Sequence, residues 1–187
     1  MILVVDASVI VKWFFRDPAT EEHAEHALLV LQSVRAGAVE ILQPPHWLAE
    51  VAAVIARLEP GVADEAIDVL DAMEFPIAAD AAVYKRATSL AGVLRQHVFD
   101  TLYHAVALEH RAELISADRR YYLAAKQLGR ITYLANWDRL QQGVSRWTTD
   151  SPGVPSGRAA PDVAGRSYPR RWQRTTAQRR SPVAAGS

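Results

Sequence analysis

The chain opens Met1-Ile2-Leu3-Val4-Val5, an unbroken apolar run that stops at Asp6. A strand with one solvated face alternates apolar and polar residues, so a continuous run of this length reads as a strand buried on both faces. Such strands belong to parallel sheets covered by helices on either side, which limits how the remaining chain can be arranged. Asp6 then falls at the strand's carboxyl end, where open α/β sheets place their ligand crevice.

The later segments supply the helices and the other strands. After a break at Asp17-Pro18-Ala19-Thr20, Glu21 to Ala36 has apolar positions at Ala24, Ala27, Leu28 and Leu31 and a stop at Gly37. Val39-Glu40-Ile41-Leu42 reads as a second strand. Pro45 opens a helix whose stripe is Leu48, Val51, Ala52, Ile55 and Leu58, ended by Pro60-Gly61. Ala63 to Met73 and Asp80 to Leu94 are further helices on either side of an extended Phe75-Pro76-Ile77. Val98 to His110 is apolar nearly all round, the mark of a buried helix. Glu113 to Ser116 and Arg130 to Leu134 are the last strands, separated by a helix over Tyr121 to Leu128. The alternation predicts an α/β fold, a three-layer α/β/α sandwich around a central, mainly parallel sheet.

A chain of 187 residues, half of them apolar, can bury one sizeable core. The core-forming pattern fades after residue 143, which predicts a domain over 1–143 and a tail over 144–187 rich in Arg, Pro, Gly and Ser. That tail has too little apolar surface to offset its ordering entropy and is expected to be disordered. The formal charge of zero conceals a division: residues 145–187 hold eight Arg against Asp150 and Asp162, while residues 1–144 carry thirteen basic and nineteen acidic side chains. The absence of cysteine excludes a disulfide framework and a thiolate metal site, and fits a reducing cytoplasm. No secretory leader is recognisable, and no apolar stretch reaches the roughly 18–20 residues of a membrane span, so a soluble protein is expected.

Four acids stand in contexts suited to chemistry. Asp6 ends the first strand and Asp118 follows the Glu113 to Ser116 run. Asp100 enters the most apolar helix, with no Lys or Arg between Gln96 and His110 to partner it. Glu50 lies off its helix's apolar stripe, on a face shared with Ala53 and Arg57, where the small Ala49 and Ala53 leave space. Taken singly, each has an ordinary explanation: a helix cap for Asp6 and Asp100, a solvated face for Glu50, a turn paired to Arg119 or Arg120 for Asp118. Taken together, converging carboxylates repel one another unless a cation sits between them. Oxygen-only donors select a hard ion, magnesium or manganese, because no Cys or paired-His motif is present; His23 and His26, three residues apart with no third ligand, are assigned no role. One or two such ions can activate water and stabilise a departing oxygen, the requirements of phosphodiester hydrolysis.

The motifs Asp6-Ala7-Ser8, Trp47-Leu48-Ala49-Glu50-Val51, Asp100-Thr101-Leu102-Tyr103-His104-Ala105-Val106-Ala107 and Ser116-Ala117-Asp118 occur in an order and spacing that resemble the PIN-domain ribonucleases, in particular the VapC-type toxins of bacterial toxin–antitoxin pairs. The resemblance implies a Mg2+ or Mn2+ site made by Asp6, Glu50, Asp100 and Asp118, with Ser8 and Ser116 supporting the acids or a water held by the metal. It further implies a homodimer, an endoribonuclease that cuts structured RNA, and inhibition by a small antitoxin protein seated near the site. The Arg-rich tail has no counterpart in that resemblance. Because the body is acidic, phosphate contacts must come from local cations, with Arg57 the first candidate and Lys12, Arg119 and Arg120 behind it. The same fold could also serve RNA processing, or bind RNA without cleaving it.

Other α/β readings lack their signatures. A receiver-like domain needs an acid pair beside the first strand and a late-strand Lys. A haloacid-dehalogenase-like phosphatase needs an Asp where Ser8 stands, and a dinucleotide-binding domain needs glycines where Ala7-Ser8-Val9 stands.

Overall fold

The computed structural model describes residues 1–14 and 21–140. The expected break at Asp17-Pro18-Ala19-Thr20 and the expected disordered tail over 144–187 lie outside the described residues. The elements in chain order are β1 (Ile2–Val5), α1 (Ala7–Ile10), a 3-10 turn at Val11–Trp13, α2 (Ala24–Arg35), β2 (Glu40–Ile41), α3 (Trp47–Leu58), α4 (Ala63–Asp71), α5 (Ala81–Leu94), α6 (Val98–Glu109), β3 (Glu113–Ser116), α7 (Arg119–Ala125) and β4 (Ile131–Tyr133).

The four strands form one parallel sheet in the order β2-β1-β3-β4. Successive side chains of a strand point to opposite faces, and Leu3, Val4 and Val5 of β1 and Leu114, Ile115 and Ser116 of β3 are all fully buried. Both faces of the sheet are therefore covered, as the opening apolar run requires. One cover comes from the α5–α6 pair, with α6 lying on β1 and β3. Thr101 to Ala107 is buried without interruption, so α6 is the all-round buried helix that its composition predicts.

From β1 the chain moves outward to β2, then returns across β1 to β3 and continues outward to β4. That reversal makes the carboxyl ends of β1 and β3 the switch point of the sheet, the place where a crevice opens in folds of this kind. Asp6 directly follows β1 and Asp118 lies two residues beyond β3.

Several boundaries differ from the sequence reading, and at α2, α7 and β2 the local reason is visible. Helix α2 starts at Ala24 rather than Glu21 because His23 takes a left-handed conformation, φ 61°. It ends at Arg35, with Gly37 supplying the positive φ of the stop. Helix α7 starts two residues early because Asp118 caps it, and its predicted end tightens into a 3-10 turn at Lys126–Leu128.

Strand β2 is shorter than predicted because the Gln43 main chain turns away to pair with Pro76 and Ala78, N–H to Pro76 O at 2.9 Å and Ala78 N–H to Gln43 O at 2.9 Å. Its fully buried side-chain amide takes over beside β1, donating to Val5 O at 2.9 Å and accepting from Val5 N–H at 3.3 Å. The final residue of β1 is thus paired on that side by a side chain instead of a strand.

Candidate functional site

Asp6 has its main chain locked into the sheet edge, its N–H donating to Ile115 O at 3.0 Å. Its carboxylate caps α1, accepting the Ser8 N–H at 2.8 Å, and the Ser8 hydroxyl also hydrogen-bonds the Asp6 carboxyl. The Ser8 hydroxyl oxygen accepts the Ala117 N–H at 3.0 Å, a bond across 109 residues that joins the turn after β1 to the turn after β3. On the second turn, Ser116 Oγ accepts the Asp118 N–H at 3.1 Å and Asp118 Oδ1 caps α7 through the Tyr121 N–H at 2.9 Å. Asp118 forms no ion pair with Arg119 or Arg120 among the described residues. Ser8 braces the two turns that carry the acids against each other, and Ser116 braces the second turn internally.

Glu50 comes from the first turn of α3 and Asp100 from the first turn of α6. Tyr103, one turn beyond Asp100 and buried, donates its hydroxyl to Glu50 Oε2 at 2.8 Å. Burial raises the Tyr103 pKa far above its ordinary value, as do the nearby Asp6 and Glu50 charges, so its hydroxyl stays a donor. His46, one turn before Glu50, packs its ring 5.3 Å from Phe99 and 5.0 Å from Tyr103, with Nε2 3.5 Å from Glu50 Oε2. Burial lowers the His46 pKa, so the imidazole is neutral and supplies no counter-charge.

All four acids line one open cleft of about 370 Å³, together with Ala7, Ser8, Val11, Lys12, Glu21, Val54, Leu58, Ala117 and Tyr121. The acids also feel one another. Burial raises the Asp6 pKa and the charges of Asp118 and Asp100 add to it. Glu50 is raised by burial, opposed by the Tyr103 hydroxyl, and raised further by Asp6 and Asp100. Asp100 is raised by burial and by Asp118, with His97 pulling it down. At three of the four carboxyls the surroundings thus disfavour the charged form.

That donor set fits a hard divalent cation in chemistry: it is all oxygen, mutually repelling, and, among the described residues, ion-paired to no Lys or Arg. Among the described residues, no three His, Asp or Glu side chains stand in a ready-made metal geometry. Glu50 is instead turned to the Tyr103 hydroxyl, and one oxygen each of Asp6 and Asp118 serves a helix cap.

Sequence reasoning missed some contributors. Tyr103 and His46 stand at i+3 from Asp100 and i−4 from Glu50, spacings that share a helix face and could have marked them. Tyr121 lines the cleft and its hydroxyl donates to His104 Nδ1 at 3.3 Å, while His104 Nε2 donates to the Gly129 carbonyl at 2.8 Å. The cleft side of α3 runs Glu50, Val54, Leu58 rather than Glu50, Ala53, Arg57. Arg57 is exposed and does not line the cleft, nor do Arg119 and Arg120, whereas Lys12 does.

No helix among the described residues is long and apolar enough to cross a membrane. No curated protein matches the chain. The PIN domain family profile matches residues 3–127, a span that contains all four acids and every element from α1 to α7, together with all of β1 but its first residue. PIN domains are typically nucleases that act on RNA, generally with divalent metal ions such as Mg2+. With a four-stranded parallel sheet buried on both faces and a family match over most of its length, the chain belongs to the PIN domain family.

Proposed function

We propose that this protein is a Mg2+- or Mn2+-dependent endoribonuclease and the toxin half of a type II toxin–antitoxin pair, acting in the cytoplasm as a homodimer restrained by a small antitoxin protein. The observation that carries the reading is the meeting of Asp6, Glu50, Asp100 and Asp118 in one cleft at the switch point of the sheet. A bound divalent ion would supply Lewis-acid stabilisation of the charge that develops when a phosphodiester is hydrolysed. Asp6 and Asp118 would hold it from the two strand ends, Asp100 from the entrance of α6 and Glu50 from α3. Tyr103 fixes the Glu50 carboxylate, Ser8 keeps the two turns in register and Ser116 holds the turn of Asp118.

The test is expression in a bacterial host with and without the product of the small reading frame beside its gene, followed by mapping of RNA 5′ ends. Growth arrest with new 5′ ends, both relieved by the neighbour, is the expected result. Metal-dependent cleavage without arrest would move the protein to RNA processing, and no cleavage in any metal would overturn the nuclease reading.

A second expectation needs no substrate. Adding Mg2+ to metal-free protein at neutral pH should raise the midpoint of thermal unfolding, by about 2.7 kcal/mol of stability at a hundredfold excess over Kd. Protons compete for the same oxygens, and Asp6, Glu50 and Asp100 all have raised pKa values. The gain should therefore begin to shrink on acidification while the pH is still above the ordinary carboxylate range near about 4. Identical melting with Mg2+ and with chelator across this range would refute the metal assignment.

A further inference from the structure

Lys12 is the only cation among the described residues that line the cleft, where it faces the four acids and a fifth, Glu21. Its ammonium does not pair with any of the four; it forms an ion pair with Glu21. The two partners differ in exposure: the Lys12 side chain is 9 % accessible and that of Glu21 34 %. If the pair opens, the carboxylate can turn to water and recover its hydration, whereas the ammonium stays in the cleft wall and needs another anion. The anion that a nuclease cleft admits is a phosphodiester.

We infer that Lys12 is the phosphate-contacting cation of this cleft, held in the free protein by Glu21, whose place an RNA phosphate takes on binding. The inference rests on the nuclease reading above and adds to it a residue that grips the substrate. An RNA backbone approaching five carboxylates is repelled even when divalent ions offset part of their charge, so an ammonium inside the cleft decides where along the groove a phosphate can rest. Glu21 keeps that ammonium away from the four acids, for which it would otherwise compete with a metal ion. Arg57, exposed outside the lining of the cleft, cannot perform this role from its present position.

The experiment compares wild type, Lys12→Met and Glu21→Gln for binding to a short fluorescent single-stranded RNA in Ca2+, over a series of salt concentrations, with thermal melting alongside. Lys12→Met should weaken binding about tenfold or more, the loss expected for one charged hydrogen bond. It should also flatten the plot of log K against log salt by about 0.7, the increment for one phosphate contact on a single strand. Glu21→Gln removes the competitor and should tighten binding while keeping the wild-type salt slope or steepening it. A structural brace would behave otherwise: both variants would melt earlier and bind with the wild-type slope, or Glu21→Gln would weaken binding as much as Lys12→Met, and either result overturns the assignment. If the wild type cleaves RNA in Mg2+ while Lys12→Met binds as tightly as wild type, only the Lys12 assignment falls. If the wild type neither binds nor cleaves RNA, the nuclease reading falls and takes this inference with it.

Discussion

Asp6→Asn should lower metal-dependent RNA cleavage by about a thousandfold or more while leaving the protein folded, the size expected when metal-assisted stabilisation worth several kcal/mol is lost. The two effects separate because the side chain has two duties. As a cap it accepts the Ser8 N–H, and Asn caps a helix about as well as Asp. As a charge it sits in a buried cluster that raises its pKa, so the folded state holds a proton there more readily than the unfolded chain does. Between the ordinary carboxylate value and that raised one, the folded form binds more protons, and stability falls as the pH rises through the window. Removing the charge should therefore leave the metal-free protein at least as stable at neutral pH. Circular dichroism melting in chelator, set beside single-turnover cleavage in Mg2+, checks both halves. A variant that cut RNA at the wild-type rate would refute the role of Asp6, and one that failed to fold would show that the charge is needed structurally.

Gln43→Leu should be the most damaging change away from the acids, costing about 2–5 kcal/mol of stability, because it strands two buried main-chain groups at once. The Val5 N–H and C=O are both paired to the Gln43 amide, and the leucine that replaces it offers neither donor nor acceptor. Gln43→Glu is the informative companion: it keeps the acceptor, loses the donor, and adds a buried charge, so it should be no better tolerated. Since Val5 immediately precedes Asp6, the surviving folded fraction should also cleave more slowly than wild type at saturating metal. Urea unfolding measures the first effect, and a Gln43→Leu protein as stable as wild type would show that the bond pair contributes little.

The architecture was largely visible in the chain because it rests on patterns that physics repeats along it. The run before Asp6, the all-round apolar Val98 to His110 and the strand before Ala117 each report burial directly, and burial of successive residues implies a covered parallel sheet. The positions of Asp6 and Asp118 at the carboxyl ends of neighbouring strands follow from the same patterns. What escaped was whatever depends on direction rather than on position. Nothing in the string distinguishes the Val54 and Leu58 side of α3 from the Ala53 and Arg57 side, because both flank Glu50 on a helical wheel. Gln43 was invisible for a different reason: a polar residue after a short strand reads as the start of a loop, and only the closing of Pro76 to Ala78 against its main chain turns its amide toward Val5. The Tyr103 hydroxyl on Glu50 spans 53 residues and depends on α3 and α6 meeting, which no local signal announces.

The hydroxyl of Ser8 reaching the amide of Ala117 sets an order of events during synthesis. A ribosome that has made only the first hundred residues has released Asp6 and Glu50 but not Asp118, nor the strand whose edge orients Asp6. Loop-closure entropy must be met before that distant pairing rewards it, so the centre completes late. On the nuclease reading proposed above, a nascent or truncated chain would spare the RNA around it, and catalytic competence would coincide with the moment the whole domain closes.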